Sequence, residues 1–212
     1  MRLVLATENE NKLREARRIM EPLGFEILSP AQAGVSYGWQ VPETGTTFEQ
    51  NALLKTRALH AITGGWTLGD DSGLEVDALG GAPGVHSARY SGSPASGRER
   101  DRANLKKLLE QLRDVPFERR TARFVCVMAL VRPDGQHLIA RGECPGTIIG
   151  QPRGEGGFGY DPVFVPDGHE RTMAEMSMEE KNALSHRGRA LRRLVEMIGE
   201  SRWLQNLPVL GL

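Results

Sequence analysis

The stretch RLVLATENENKLREARRIMEPLGFEIL, residues 2–28, is the most informative about the fold. Its first six residues, RLVLAT, form a short β-branched and aliphatic run and predict a strand that stops at the polar ENENK. Apolar residues then recur at helical spacing, Gly24 ends the predicted helix, and FEIL predicts a second strand. Strand, helix and strand in this order predict a βαβ unit with parallel strands, and α/β folds of this kind bind ligands at strand ends.

The next segments predict a loop, a helix and a buried strand. Residues 29–46 are rich in Gly, Pro and Ser and show no clear period, which predicts a loop. Thr47 and Gln50 have the spacing of a capping box and predict a helix that continues to about Thr63. WTLGDD, which follows, predicts a buried strand that ends at the aspartates.

The second half of the chain predicts a mixed sheet. Residues 98–112 form a charged segment with a leucine stripe, typical of a surface helix with solvated charges rather than a nucleic-acid-binding arm. ARFVCVMALVRPDGQHLIARGEC predicts an antiparallel hairpin. A loop over residues 151–161, a strand VFV, a capping box at Ser177 and a helix over residues 185–198 follow. Without repeats or long linkers, residues 1–212 are expected to form one domain.

Composition excludes several classes of protein. The 27 basic residues balance the 27 acidic ones, so the overall charge does not favour nucleic acid or a membrane surface. No uncharged apolar run reaches the roughly 18 residues that a membrane span needs. Cys126 and Cys144 lie in apolar, strand-like runs, and no secretory signal is recognisable, which favours reduced core cysteines. We expect a cytoplasmic protein that binds neither nucleic acid nor membrane.

Asp70 and Asp71 place two like charges side by side in LGDDSGLEVDALGGAPGVHSARYSG, residues 68–92. Burying both without a partner is unfavourable, so positive charge is expected nearby. If the strand ends here and Ser72 and Gly73 turn the chain, both carboxylates face a cleft and could hold magnesium. A turn with an N-cap aspartate is the ordinary alternative. The acids that could contribute to a magnesium site are Glu43, Glu49, Asp70, Asp71, Glu75 and Asp77.

The glycine-rich GEGGFG, residues 154–159, satisfies the G-x-G-x-x-G pattern of dinucleotide-binding folds. That pattern requires a preceding strand and a helix starting at its last glycine, whereas YDPVFVP follows here. We therefore expect either a flexible loop or a ligand-contacting loop of another kind. The five histidines lack the spacing of a zinc site.

Five motifs occur in one order along the chain: LATENENK, ETGTTFEQNALLK, DDSGLEVDALGGAPGVHSARYSG, GGFGYDPVF and EEKNALSHRGRAL. Together they closely resemble the inosine/xanthosine triphosphate pyrophosphatases, over nearly the whole chain. The resemblance implies an α/β fold with an elongated mixed sheet flanked by helices, two lobes around a central active-site cleft, and a homodimer. It also implies magnesium-dependent hydrolysis of deaminated purine nucleoside triphosphates (ITP, dITP and XTP) to the monophosphate and pyrophosphate, which cleanses the nucleotide pool.

The resemblance also implies residue roles. Asp71 would be both a magnesium ligand and the proton acceptor for the attacking water, and Glu43 a second magnesium ligand. The triphosphate and substrate contacts would be Thr7, Glu8, Asn9, Glu10, Asn11, Lys12, Lys55, Ser72, Lys181, His186 and Arg187. The loop under the base would be Phe158, Gly159, Tyr160 and Asp161, with Phe158 stacking on the purine.

One departure from the family leaves alternatives open. The family commonly has a small residue after the threonine of the phosphate loop, whereas this chain has Glu8, and Glu10 adds a second acid. Both acids are expected to point away from the polyanion or to contact metal. A nucleotide-binding regulator without turnover, and a hydrolase of modified pyrimidine or methylated guanine nucleotides, are the competing hypotheses.

Overall fold

The computed structural model describes residues 1–36 and 38–200. These residues form six strands and five α-helices, with several short 3₁₀ turns between them. In chain order they are β1 (Arg2–Leu5), α1 (Glu10–Met20), β2 (Glu26–Leu28), α2 (Phe48–Thr63), β3 (Thr67–Val76), α3 (Gly97–Gln111), β4 (Thr121–Val131), β5 (His137–Ile148), β6 (Phe164–Pro166), α4 (Met178–Leu184) and α5 (His186–Glu200).

The strands form one mixed sheet in the order β2-β1-β3-β4-β5-β6. β1 is parallel to both β2 and β3, whereas the pairs β3–β4, β4–β5 and β5–β6 are antiparallel. The parallel β1-α1-β2 unit and the antiparallel β4-β5 hairpin are therefore confirmed, and so is the mixed α/β sheet.

Helices cover both faces of this sheet, so that its central strand β4 is buried on both sides. Cys126, Met128 and Leu130 of β4 pack in one core cluster with apolar residues of α1 and α5. Val125, Val127 and Ala129, which alternate with them, pack against Phe48 and Ala52 of α2. Strands buried on two faces are expected to be continuously apolar, as FVCVMALV is.

Strand β3 carries both aspartates in its middle rather than at its end. It runs to Val76, and Ser72 and Gly73 continue the ladder by pairing with Cys126 and Val125. The expected turn at Ser72 and Gly73 is therefore wrong: these two residues are held by a long antiparallel partner, which outweighs their turn propensity.

The register of β3 separates the two carboxylates. Asp70 pairs with Met128 and Asp71 with Val127, and these two partners belong to opposite core clusters. Because directly opposed residues of an antiparallel pair point to the same face, Asp70 faces the α1 and α5 side and Asp71 faces α2. The expectation that both aspartates face one cleft is wrong for this reason.

Helix α2 packs closely on β3 at Gly69. A Cβ atom at this glycine would lie 3.0 Å from the Ala52 carbonyl oxygen and would overlap Thr56 Oγ1. Thr56 itself donates to Ala52 O at 2.6 Å. The absence of a side chain at Gly69 therefore sets how near α2 lies to the strand.

The predicted helix caps differ in completeness. Ser177 and Glu180 form both bonds of a capping box at α4. At α2, Thr47 Oγ1 accepts from Gln50 N at 3.2 Å, but the Gln50 side chain accepts from Thr46 N instead of Thr47 N. The box predicted at α2 is thus only half formed, although the helix begins where it was expected.

Both cysteines are free and buried, as predicted from their apolar surroundings. No helix of the described residues is long and apolar enough to cross a membrane. GEGGFG is followed by a 3₁₀ turn over Asp161–Val163 and by β6, so no helix starts at its last glycine. This confirms the rejection of the dinucleotide-binding fingerprint.

Candidate active site

A cleft of about 730 Å³ opens between the start of α1, the middle of β3, the first turns of α3 and the loop before β6. Most of the residues that the family resemblance singles out line it. They are Glu8, Asn9, Asn11, Lys12, Ser72, Phe158, Gly159, Tyr160, Asp161, Lys181, His186 and Arg187. The other five, which are Thr7, Glu10, Glu43, Lys55 and Asp71, lie outside its lining.

The loop before α1 is a compact helix cap. Asn9 is the N-cap, and its Oδ1 accepts from Asn11 N at 3.0 Å and from Lys12 N at 3.4 Å. Thr7 Oγ1 in turn accepts from Asn9 N at 3.2 Å. Glu8 and Glu10 are both exposed; Glu8 is on the cleft wall, whereas Glu10 lies away from it.

On the α1 side of the sheet, Asp70 is held by two cations. Its Oδ2 lies 2.9 Å from Lys12 Nζ and 3.5 Å from an Arg187 guanidinium nitrogen, and Ser72 Oγ donates to it at 3.4 Å. Burial alone would raise the pKa of Asp70, but Lys12 and Arg187 together hold it well below its ordinary range. Asp70 Oδ1 has no hydrogen-bond partner among the described residues.

Glu15 is a buried part of this network that sequence reasoning missed. It pairs with Arg187 and, at 3.1 Å, with Lys181 Nζ, which also lies 2.8 Å from Asp161 Oδ2. Burial opposes ionisation of Glu15, yet Arg187 and Lys181 lower its pKa to about 2. Its position three residues after Lys12, beside the apolar stripe of α1, is the signal that could have indicated it.

On the α2 side, Asp71 belongs to a second cluster. Lys55 Nζ lies 3.2 Å from Asp71 Oδ1 and 2.8 Å from Glu43 Oε1. Asn51, a further residue that sequence reasoning missed, donates to Asp71 Oδ2 at 3.1 Å, and Arg89 donates to Glu43 Oε2 at 2.8 Å. Burial and, more weakly, the Glu43 charge raise the pKa of Asp71, although Lys55 opposes them.

The two clusters lie within electrostatic reach of each other. Lys12, on the α1 side, lowers the pKa of Glu43, and Asp70 raises the pKa of Lys55, although burial and nearer partners are also among the causes of each shift. The positive charge expected beside the aspartate pair is therefore present as side chains: Lys12 and Arg187 beside Asp70, and Lys55 beside Asp71.

Glu43 and Asp71 have the donor chemistry of a magnesium site. Their carboxylates converge on the Lys55 ammonium, which shows that they face a common position where a cation is stabilised. Across the described residues, no group of three or more His, Cys, Asp or Glu side chains could hold a metal by itself. Magnesium commonly binds one or two carboxylates together with waters and substrate phosphates, so this pair fits that pattern.

The other candidate acids are engaged elsewhere. Glu49 pairs with Arg141 at 2.9 Å, and Glu75 pairs with Arg123 at 2.8 Å. Asp77 lies 3.4 Å from the same arginine. These three acids therefore belong to other ion pairs and do not join Glu43 and Asp71.

Asp161 organises the loop at the other end of the cleft. Its Oδ2 accepts from Phe158 N at 2.8 Å and from Lys181 Nζ at 2.8 Å. Gly157 has φ +70°, and a Cβ there would overlap the Asp161 carboxylate. The Phe158 ring has the Lys181 ammonium 4.6 Å from its centroid, so the loop and α4 are joined by a cation–π contact as well.

His186 presents a neutral ring to the cleft. It is buried and stacks on Phe124 with ring centroids 4.8 Å apart. Burial and the neighbouring Arg187 charge lower its pKa well below the ordinary value. His186 Nδ1 is buried and has no hydrogen-bond partner among residues 1–36 and 38–200.

One face of α3 lines the cleft, which sequence reasoning did not anticipate. Its members are Gly97, Arg98, Arg100, Asp101 and Asn104. Asp101 Oδ2 accepts from Gly159 N at 3.0 Å, so α3 is fixed directly to the loop that carries Phe158. The prediction that the charges of this helix are simply solvated is therefore wrong for its first turns, although its buried Leu108 confirms the leucine stripe.

Comparison with known proteins agrees with this architecture. The model of the Ham1 family matches residues 3–197. The chain is 54% identical over 200 residues to a dITP/XTP pyrophosphatase of Symbiobacterium thermophilum, covering 93% of this chain and 94% of that protein. It is 53% identical over 191 residues to a dITP/XTP pyrophosphatase of Mycobacterium tuberculosis, covering 90% of this chain and 91% of that protein.

Solved structures show the same fold. A HAM1 protein from Coxiella burnetii superposes with a TM-score of 0.83 at 40% identity, covering 95% of this chain and 100% of that one. A nucleoside-triphosphatase, dITP/XTP pyrophosphatase, from Mycobacterium abscessus gives a TM-score of 0.73 at 48% identity, covering 92% and 99% of the two chains. With the family model matching nearly the whole sequence and these structures sharing its mixed sheet, the chain belongs to the Ham1 family.

Proposed function

We propose that this protein is a magnesium-dependent nucleoside triphosphate pyrophosphatase that hydrolyses ITP, dITP and XTP to the monophosphate and pyrophosphate. The observation that carries the proposal is one cleft that is lined by Lys12 at the start of α1 and by the rings of Phe158 and His186. Cationic and aromatic side chains in one cleft suit a purine nucleotide. The names of the relatives point to the same substrates.

The start of α1 would receive the triphosphate. A helix N-terminus carries partial positive charge that favours phosphate, and Lys12 and Arg14 add full charges on the cleft wall. Lys12 is engaged with Asp70 at 2.9 Å, so it would be shared between this carboxylate and the phosphates. Glu10 lies outside the cleft and would not oppose the polyanion directly.

Asp71 would accept the proton of the attacking water, and Glu43 and Asp71 would hold magnesium. A bound magnesium ion would supply positive charge against the phosphate oxygens. Asn51 fixes Asp71 Oδ2, and Lys55 lies between both carboxylates, ready to donate to a phosphate oxygen. Water oxygen would bond to the α-phosphorus while the bond to the bridging oxygen breaks, releasing pyrophosphate, and the water proton would pass to Asp71.

The base would be selected by its oxygen at position 6. Hypoxanthine and xanthine have an acceptor there, whereas adenine has an amino donor, and arginine can only donate. Arg187 uses its terminal nitrogens on Glu15, Ser72 and Asp70, and its Nε has no partner among the described residues. An unpaired donor facing adenine would favour ITP over ATP by roughly 10²-fold.

This activity would cleanse the nucleotide pool, which keeps deaminated bases out of DNA and RNA. The proposal includes a cytoplasmic homodimer, as the family resemblance implies. Sedimentation equilibrium of the purified protein tests the dimer, because a monomer at micromolar concentration would contradict it.

The decisive experiment is pyrophosphate release from a panel of nucleotides at equal concentration, with and without magnesium. We expect ITP, dITP and XTP to be hydrolysed at similar efficiency, with GTP and ATP far behind. Binding of ITP without pyrophosphate release would favour the regulator without turnover. A preference for modified pyrimidine or methylated guanine nucleotides would favour the other hydrolase and contradict this proposal.

A further inference from the structure

The cleft wall carries two arginines that the proposed reaction does not use, Arg98 and Arg100 on α3. Arg14, on α1, is assigned to the triphosphate. The remaining cations of the cleft have acidic partners: Lys12 pairs with Asp70, Lys181 with Glu15 and Asp161, and Arg187 with Glu15 and Asp70. Within the part of the chain that the structure describes, Arg100 Nε is buried without a hydrogen-bond partner.

Arg98 and Arg100 line the cleft from the first turn of α3, next to the residue that contacts the aromatic loop. Asp101, the next residue along, accepts from Gly159 N at 3.0 Å, which fixes the first turn of α3 against this loop. Gly97, Arg100, Asp101 and Asn104 follow helical spacing along one face, and all line the cleft. Arg102 on the same helix is exposed and does not line it.

The loop itself has few free donors with which to read a base. Phe158 N donates to Asp161 Oδ2 and Gly159 N donates to Asp101 Oδ2, so two successive amides of GGFGYD are already engaged. A backbone donor near position 2 of the purine would be the simplest way to favour xanthine over guanine, but these two amides cannot serve without breaking their bonds. On α3, the Nε of Arg100 is a buried donor that has no hydrogen-bond partner among the described residues, and it could supply the missing donor.

We propose that Arg100, assisted by Arg98, reads position 2 of the purine and sets the preference among XTP, ITP and GTP. This inference rests on the proposed function. Xanthine has an oxygen at position 2, which accepts from a guanidinium; hypoxanthine has only a hydrogen there; guanine has an amino group, which is a donor facing another donor. Arg100 therefore favours XTP over ITP and disfavours GTP relative to ITP, so one residue determines both preferences.

The test compares kcat/KM for XTP, ITP and GTP in the wild type and in Arg100→Met, which keeps the apolar stem and removes the donors. We expect the XTP/ITP ratio to fall about tenfold, because a hydrogen bond to a charged group is lost, and the GTP/ITP ratio to rise. Arg98→Met is expected to change both ratios in the same directions by a smaller factor. Arg102→Met, on the same helix but off the cleft, is the matched control and should leave both ratios unchanged.

Arg100→Lys covers the case in which Arg100→Met does not fold, because it keeps the charge but loses the planar fork. We expect it to lower the XTP/ITP ratio as well. Unchanged ratios in a folded Arg100 variant, or an equal loss of efficiency on all three nucleotides, would overturn the inference and leave the proposed function intact. A wild-type protein that hydrolyses none of the three would overturn the proposed function and this inference together.

Discussion

Asp70 and Asp71 are adjacent in the chain but point to opposite faces of the sheet, and each has its own cations. Asp70 Oδ2 lies 2.9 Å from Lys12 Nζ, and Asp71 Oδ1 lies 3.2 Å from Lys55 Nζ. Alternation along β3 therefore removes the repulsion that adjacent carboxylates would have in a turn. It also gives the two aspartates different tasks, since only Asp71 lies beside Glu43.

Asp71→Asn is expected to reduce pyrophosphate release from ITP by about 10²-fold or more, because the amide cannot accept the proton of the attacking water. The fold should persist, since the amide keeps the shape of the side chain and can still meet Asn51. Activity is measured beside the thermal unfolding of the same sample. Asp77→Asn, in an exposed ion pair with Arg123, is the control. A folded Asp71→Asn protein with more than about a tenth of the activity would count against Asp71 as the base.

Removing divalent cations with EDTA should stop turnover, and magnesium should restore it. A readout independent of activity is the unfolding temperature, which magnesium plus a nucleotide is expected to raise by mass action. Glu43→Gln should reduce this rise, whereas Glu49→Gln, which removes the carboxylate paired with Arg141, should not. Full activity in chelator, or equal magnesium responses in both variants, would contradict the assignment of Glu43.

Glu15 makes stability depend on pH in the acid range. Its pKa is lowered from 4.5 to about 2 in the folded protein, because Arg187 and Lys181 outweigh the effect of burial. The folded state therefore binds this proton less readily than the unfolded state, and the stabilisation present above pH 4.5 is lost as the pH falls towards 2. Denaturant unfolding between neutral and acid pH is expected to show a falling free energy of unfolding.

Glu15→Gln is expected to flatten that fall and to lower the free energy of unfolding at neutral pH by about 3 kcal/mol, because Arg187 and Lys181 lose a buried counter-charge. Glu118→Gln, at an exposed position, is the control and should leave the profile as in the wild type. The same acid fall in the wild type and in Glu15→Gln would show that other carboxylates cause it.

Arg187→Lys is expected to lower kcat/KM on ITP and to narrow the ITP/ATP gap, since lysine lacks the guanidinium Nε and the planar fork. The lysine keeps a positive charge beside Glu15 and Asp70, whereas Arg187→Ala leaves each of these buried carboxylates with one cationic partner fewer. Comparing Arg187→Lys with Arg187→Ala separates an effect on base recognition from an effect on stability. Both variants should narrow the ITP/ATP gap in kcat/KM, but only Arg187→Ala should lower the unfolding temperature strongly. An unchanged ITP/ATP preference in both variants would show that Arg187 does not read the base.

Local patterns were sufficient to predict most of the elements. The spacing of Leu13, Ala16 and Met20 predicted α1, and the Ser177 box predicted the start of α4. The prediction failed at Asp70 to Gly73, where the turn propensity of Ser and Gly was outweighed by pairing with β4, a partner more than 50 residues away. Pairing between strands so far apart in the chain cannot be predicted from the neighbouring residues alone.

The site could be predicted only in part, for a similar reason. Motif resemblance identified Lys12, Lys181 and Arg187, whose charges look like ordinary solvated helix positions. It did not identify Glu15, which neutralises two of these charges from another helix. It also missed Asp101, because its bond to Gly159 spans 58 residues of chain. Contacts of this kind exist only after the helices have packed.

The geometry of the Lys55–Asp71 pair depends on Gly69, a residue that has no functional group of its own. Because a Cβ there would collide with α2, the helix that carries Lys55 can approach the strand that carries Asp71 only while position 69 lacks a side chain. The ammonium-to-carboxylate distance is thus set by backbone steric fit rather than by the charges themselves. Even alanine at position 69 would push α2 away from β3 and lengthen the distance between Lys55 and Asp71. The rate of hydrolysis would then fall although every polar group of the site is still present.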